Sequence, residues 1–296
     1  MIFCKRIGAF FLFFICLANH QATASSLQLT DALGREISLE KPVSRIISLA
    51  PHITENLYAA GAGNLLVGAV NFSDYPAAAQ EIPRVGGYNQ LDIEGILALQ
   101  PDLVIAWHSG NPLPQVEQLQ GLGIPVYYSE PRTFADIARN LRDFSQLTVH
   151  PEVGEEAARK FEAGIAQLRE DFSQRRPVRV FYQVWEAPLM TINHEHLIHQ
   201  ALDACGGENI FAELDNLIPR ISREAVLQAN PEAIIGGGMG EDTPAWVDNW
   251  RVFDELQAVQ NNHLYFIPPS LLQRATPRLL QGSQLLCSQL EQVRES

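Results

Sequence analysis

Residues 152–175 read EVGEEAARKFEAGIAQLREDFSQR, a stretch unlike its surroundings. It is rich in Ala, Glu, Arg and Gln, and Phe161, Ile165, Leu168 and Phe172 recur at three- and four-residue spacing. The spacing predicts one long helix over 151–176, stopped by Pro177. Outward from it, in both directions, short apolar runs alternate with helical patterns. Strands are predicted before it at 45–49, 66–70, 103–107 and 126–129, with helices at 54–60, 93–99, 113–122 and 134–147. After it, strands follow at 178–184, 233–236 and 264–267, with helices between and beyond. A polar entry segment at 27–37, turning at Gly34-Arg35, reads as a hairpin. Such alternation argues for parallel sheets. The expected fold is α/β: two lobes with parallel sheets, joined by a single long backbone helix, with a ligand cleft between them.

The two halves echo each other. Residues 92–105, DIEGILALQPDLVI, match 222–235, SREAVLQANPEAII. In each, an N-capping residue is followed two positions later by glutamate, and proline comes seven residues after that glutamate. The shared element is a capped short helix, a proline-marked turn and a buried strand. The repeat is degenerate and argues for two pseudo-symmetric lobes rather than a solenoid.

The chain has 296 residues, 46% hydrophobic and 19% charged, which is globular composition and room for two cores. Its formal charge of -13 argues against nucleic acid and anionic membranes, because phosphate would repel it. Lys5 and Arg6 precede the apolar run IGAFFLFFICLA at 7–18, and Ala22-Thr23-Ala24 follows. That order reads as a secretory signal peptide cleaved after Ala24, so residues 1–24 leave and the protein reaches the periplasm. The alternatives are a retained anchor and a lipoprotein signal at Cys16, although Phe-Phe-Ile before Cys16 lacks the small residues the latter uses. Cleavage takes the formal charge to -15, since 1–24 holds Lys5 and Arg6 and no acidic residue. Only Cys205 and Cys287 then remain: one disulfide, which export favours, or two buried thiols. The expected division is signal peptide 1–24, N-terminal lobe 25–150, connecting helix 151–176 and C-terminal lobe 177–296.

Ligands of parallel α/β sheets settle at the strands' C-terminal ends. Aromatic residues lie at or just past those ends here: Phe72 and Tyr75, Tyr88, Trp107 and Trp185. Together they would suit a large, flat, partly apolar ligand, and singly each could be ordinary packing. With these residues in view, RIISLAPHITENLYAAGAGNLLVGAV (45–70), SDYP (73–76), IEGILALQPDLVIAW (93–107), LGIPV (122–126), CGGENIF (205–211), ISREAVL (221–227) and QRATPRLL (273–280) complete the picture. The chain resembles the class III, helical-backbone substrate-binding family, and within it the vitamin B12 (cobalamin) receptors of ABC importers. The resemblance runs in order over nearly the whole mature chain.

That resemblance implies several roles. Glu94 and Glu224 stand where the family's docking glutamates meet the permease subunits of the importer, one on each lobe. Phe72 takes the position of a cobalamin-contacting tyrosine, Tyr88 that of a tryptophan, and Trp107 matches a tryptophan directly. Ser270, Leu271, Leu272, Gln273 and Arg274 align with a ligand-contacting loop, of which only Arg274 retains the characteristic residue. Trp185 joins the expected ligand set from its strand-end position alone, and Ile218 stands where the resemblance implies an aromatic. Cys205–Cys287 is implied to be the family's disulfide. The implied function is capture of cobalamin or a related corrinoid and its delivery to the importer, with the corrinoid as cargo and no resident cofactor. A ferric-siderophore or haem receptor is the alternative on the same fold.

A zinc-dependent exported enzyme is the second alternative, through His194, Glu195, His196 and His199. His194 and His196 cannot share a helix face, so a third ligand is lacking and no metal site is expected. The run Gly236-Gly237-Gly238-Met239-Gly240 has neither P-loop nor dinucleotide-binding spacing and reads as a flexible cleft rim. The sequence lacks a G-x-S-x-G elbow and offers no plausible Cys–base pair, so no enzyme is expected.

Overall fold

The structure is a computed structural model that describes residues 26–87, 89–238, 240 and 245–296. The signal-peptide reading of 1–24, and Tyr88, lie outside the described residues. The chain opens with an antiparallel hairpin of β1 (Leu27–Thr30) and β2 (Glu36–Leu39). Its turn is made by Asp31, whose Oδ1 accepts the Leu33 and Arg35 N–H groups, each at 2.9 Å.

The first lobe follows as β3 (Ile46–Ser48), α1 (Pro51–Ala59), β4 (Leu66–Ala69), a small β5 (Gly86–Gly87) and β6 (Gln90–Leu91) pair, α2 (Ile93–Ala98), β7 (Leu103–Trp107), α3 (Leu113–Gly121), β8 (Val126–Ser129) and α4 (Phe134–Ser145). Strands β4-β3-β7-β8 form one parallel sheet in that order. Its inner strands are buried on both faces, as a continuous Val/Ile/Leu pattern requires.

The long helix is α5 (Pro151–Phe172), shorter than the 151–176 read from the sequence, because the chain turns away through Ser173–Arg175 well before Pro177. Its Ala158 belongs to the first lobe's core, and its Phe161, Ile165 and Leu168 belong to the second lobe's. One apolar stripe therefore serves both lobes. Helix α4 bridges in the same way: Phe134 and Ile137 pack in the second core, Leu141 and Phe144 in the first. Gly154 lets α5 approach α4 so closely that a Cβ there would collide with the Leu141 carbonyl and Ser145.

The second lobe contains β9 (Val178–Gln183), α6 (Leu197–Ala204), β10 (Gly207–Asn209), α7 (Arg223–Ala229), β11 (Ala233–Gly236), α8 (Gln257–Gln260), β12 (Leu264–Phe266), α9 (Pro269–Leu272) and α10 (Leu279–Glu295). Its sheet is parallel with order β10-β9-β11-β12. In both sheets the lobe's second main strand lies outside its first, and the third and fourth follow on the other side. The echo read from the sequence is thus a repeat of topology. Asp92 Oδ1 caps α2 by accepting the Gly95 N–H at 3.0 Å, and Ser222 Oγ caps α7 by accepting the Ala225 N–H at 3.2 Å. Each helix is followed by a residue in the left-handed region, Gln100 and Asn230, both at φ 45°, and then proline leads into an inner strand. A disulfide joins Cys205, just past α6, to Cys287 in α10, both inside the second core. Among the described residues no helix is long and apolar enough to cross a membrane.

Candidate functional site

A cleft of about 430 Å³ lies between the lobes. The first lobe supplies Pro51, His52, Trp107, Ser109, Glu130, Pro131 and Arg132, and the second supplies Glu195, His196, Leu197, Leu217, Leu272, Gln273, Arg274 and Ala275. Topology explains the position. In the first sheet the strand order reverses between β3 and β7, and the crevice outside their C-terminal ends is where such a sheet binds ligands. His52 follows β3 and Trp107 ends β7. Their rings meet edge to face, with centroids 5.4 Å apart at 89°. Asn111 fixes the base of this corner: its Oδ1 accepts the Trp107 N–H at 2.6 Å, and its Nδ2 donates to the Leu49 carbonyl at 2.8 Å.

The polar lining is held in place locally. Glu130 accepts from the Ser109 N–H at 2.8 Å and from its hydroxyl at 2.9 Å, and it pairs with Arg132 at 3.0 Å. His196 caps α6, its Nδ1 accepting the Ile198 N–H at 3.1 Å. Burial, reinforced by the Arg132 charge, lowers its imidazole to about 4. Gln273 sits on the main chain of Gly238. In the orientation that satisfies both ends of its amide it donates to the Gly238 carbonyl and accepts its N–H, each at 3.1 Å. A Cβ on Gly237 would strike the Gln273 amide and the buried Tyr182 hydroxyl. The start of the glycine run is therefore a close-packed floor where the sequence suggested a flexible rim; Met239 lies outside the described residues.

One flank of the cleft is bound by charge across the lobes. Arg274 pairs with Asp74 at 2.7 Å and donates to the Phe72 carbonyl at 3.2 Å. Burial pulls the Asp74 carboxyl upward, but the Arg274 hydrogen bond and charge outweigh it and hold the group below the usual carboxylate range. Deeper in, Arg278 grips Glu55 of α1 through two hydrogen bonds of 2.7 Å and lies over the Tyr75 ring, 3.8 Å from its centroid. Glu55 is only 3% exposed, so removing this carboxylate takes the paired charge and two short hydrogen bonds from a guanidinium in a poorly solvated place. Glu55→Ala is expected to destabilise the protein by about 3 kcal/mol. Thermal unfolding followed by circular dichroism checks this, and an unchanged midpoint would contradict it.

The residues expected from the sequence are distributed as follows. Trp107, Leu272, Gln273 and Arg274 line the cleft together. Phe72 lies on the adjoining loop, 66% exposed, in the left-handed region at φ 64°, an uncommon conformation for an aromatic residue. Trp185 is half-buried outside the cleft lining, its Nε1 donating to the Ala187 carbonyl at 3.1 Å. Ser270 is buried and Leu271 packs against the second core, so neither lines the cavity. Ile218 faces a separate surface depression. The three histidine rings go to different partners: His194 to the Ala212 carbonyl at 2.8 Å, His196 to its helix cap, His199 to Asp203 at 3.4 Å. Among the described residues no group of three potential ligands could hold a metal ion. The sequence reading overlooked His52, Ser109, Glu130, Arg132 and Leu217. It began the first helix at Thr54, although Pro51 suits a first helical position and carries His52 to the strand end.

Glu94 and Glu224 are exposed in the first turns of α2 and α7. A helix that precedes a parallel strand runs opposite to it, so both first turns lie toward the strands' C-terminal edges, on the side of the cleft. The Glu224 carboxylate is held below the usual range by its own amide and by the Ser222 hydroxyl.

Residues 46–271 match the periplasmic binding protein family. The chain belongs to that family. Among members, the vitamin B12-binding protein of Vibrio parahaemolyticus is 38% identical over 254 residues, 86% of this chain and 92% of that one. The vitamin B12-binding protein of Vibrio cholerae is 40% identical over 251 residues, 84% of this chain and 90% of that one. The crystal structure of the Vibrio cholerae periplasmic vitamin B12-binding protein BtuF superposes with a TM-score of 0.79 at 38% identity, covering 86% of this chain and 99% of that one. The periplasmic heme-binding protein RhuT from Roseiflexus sp. RS-1, at 24% identity and a TM-score of 0.74, shares the fold over 85% of this chain and 99% of its own. Family members are substrate-binding proteins rather than enzymes.

Proposed function

We propose that this chain is a periplasmic receptor that captures cobalamin or a related corrinoid in the interlobe cleft and delivers it to an ABC importer. The observation that carries the reading is Trp107. It stands at the sheet's reversal point inside the cleft, in a chain 38–40% identical to vitamin B12-binding proteins. A planar, apolar-edged macrocycle gains most from an aromatic wall, and the polar rim of Glu130, Arg132 and Arg274 suits its amide and phosphate periphery. Phe72 and Trp185 would widen that wall from outside the pocket, and Tyr88 joins the ligand set by resemblance.

The remaining assignments follow from the same reading. Residues 1–24 direct export and are removed, leaving lobes at 25–150 and 177–296 around the 151–176 segment. Glu94 and Glu224, one on each lobe, dock on basic groups of the permease subunits, and two acidic points at fixed separation suit a dimeric partner. Equilibrium dialysis of the mature protein against cyanocobalamin, haemin and a ferric hydroxamate, side by side, tests the ligand. Retention of the corrinoid is expected. Retention of an iron chelate alone would overturn the corrinoid reading in favour of the siderophore or haem one.

A further inference from the structure

His52 lines the cleft beside Trp107, yet it is only 8% exposed and its Nε2 has no hydrogen-bond partner. Leaving such a group unsatisfied is costly, and native folds retain few of them without a use. Burial, then the Arg274 charge, lowers this imidazole to about 4. The ring is therefore neutral at neutral pH and keeps one nitrogen lone pair. His196, the other histidine on the cleft, differs. Its Nδ1 already accepts the Ile198 N–H, so its lone pair is committed to capping α6.

We propose that His52 is an axial ligand for the cargo's metal: its imidazole displaces an exchangeable water from the cobalt of an aqua-corrinoid. The proposal rests on the corrinoid reading of the cleft. The step is a ligand substitution. The Co–O bond to water breaks, the imidazole lone pair forms a Co–N bond, and water leaves as a neutral molecule. The cobalt keeps its oxidation state, and no proton need move, because the ring is already neutral. Neutral imidazole is a good donor to first-row metals, and Nε2, itself sealed from the cleft in this structure, reaches the cobalt by a turn of the ring and gains there the partner it lacks within the protein. A corrinoid whose exchangeable position is filled by cyanide offers no such bond and is held by packing and hydrogen bonds alone. The cleft thus favours the aqua form.

The test uses the mature protein and its His52→Ala and His52→Gln variants, each titrated with aquacobalamin and with cyanocobalamin, and read by visible absorption and affinity. Wild-type protein is expected to convert the aquacobalamin spectrum to that of a nitrogen-ligated corrinoid, and neither variant should. Affinity for aquacobalamin should fall in both variants at least about tenfold further than affinity for cyanocobalamin, the equivalent of about 1.4 kcal/mol. An unshifted aquacobalamin spectrum with both corrinoids still bound would overturn the ligation and leave the receptor reading standing. A shift that persists in His52→Gln would do the same. Failure of wild-type protein to bind either corrinoid would overturn both readings. A His52-dependent spectral change with haemin and none with aquacobalamin would overturn the cobalt assignment in favour of iron.

Discussion

Replacing Glu94 and Glu224 together with alanine is expected to abolish corrinoid uptake by cells while the purified receptor binds its ligand as before. The separation of effects follows from where the residues stand. Both carboxylates are exposed in first helical turns, where the helix dipole favours negative charge, and neither lines the cleft. Losing one partner of a charged interfacial pair typically costs about 2 kcal/mol or more, so two such losses weaken docking by about a thousandfold. Each single variant should show an intermediate defect, because each lobe keeps one anchor in the other's absence. Uptake of labelled cobalamin in cells relying on this receptor, beside binding by the purified variants, measures both quantities. Unchanged uptake in the double variant would refute the docking role. Loss of ligand affinity would show that these residues act on the cleft instead.

The second large effect concerns the disulfide. Cys205 and Cys287 are 82 residues apart in sequence and sit in the second lobe's core. Opening a loop of that length releases chain entropy worth about 4 kcal/mol on the loop-closure model. A Cys205→Ser, Cys287→Ser protein should accordingly melt about 10 °C lower, at the few degrees per kcal/mol usual for a protein of this size. The two new hydroxyls would also lie in an apolar core, which adds to the loss. Differential scanning calorimetry of the double variant checks this, with the reduced wild type as the companion sample. A fall of under about 2 °C would contradict a stabilising role. The bridge ties α6 and β10 to α10, away from the cleft, so ligand affinity should survive in whatever fraction remains folded.

Much of this architecture was legible because its signals are local. Continuous apolar runs such as 103–107 and 233–236, short and preceded by proline, read as buried strands, and the cap-helix-proline pattern ahead of each named its partner in the other lobe. The long helix's packing on the second lobe was legible in Phe161, Ile165 and Leu168, whose spacing needs a surface to cover. The three-residue β10 escaped, because Gly207-Glu208-Asn209 has no apolar pattern and is a strand only through its pairing with β9. The cross-lobe ties escaped for a different reason. Glu55 and Arg278 are separated by 223 positions, and nothing local tells a carboxylate which guanidinium will reach it. Within the site, Trp107 was readable as a strand-end aromatic. His52 was not, since starting α1 at Thr54 left it in a loop with no stated direction. Ser270 and Leu271 show the limit of aligning a loop by resemblance: the segment reaches the cleft, but only Leu272, Gln273 and Arg274 face it.

The central claim is that the interlobe cleft holds one corrinoid. Calorimetric titration of residues 25–296 with cyanocobalamin tests it most directly, with quenching of tryptophan fluorescence recorded on the same samples. A single saturable event at one ligand per chain, with a dissociation constant below about 10 μM and quenching that tracks it, is the predicted result. Absence of heat and of quenching at tens of micromolar ligand would contradict the claim.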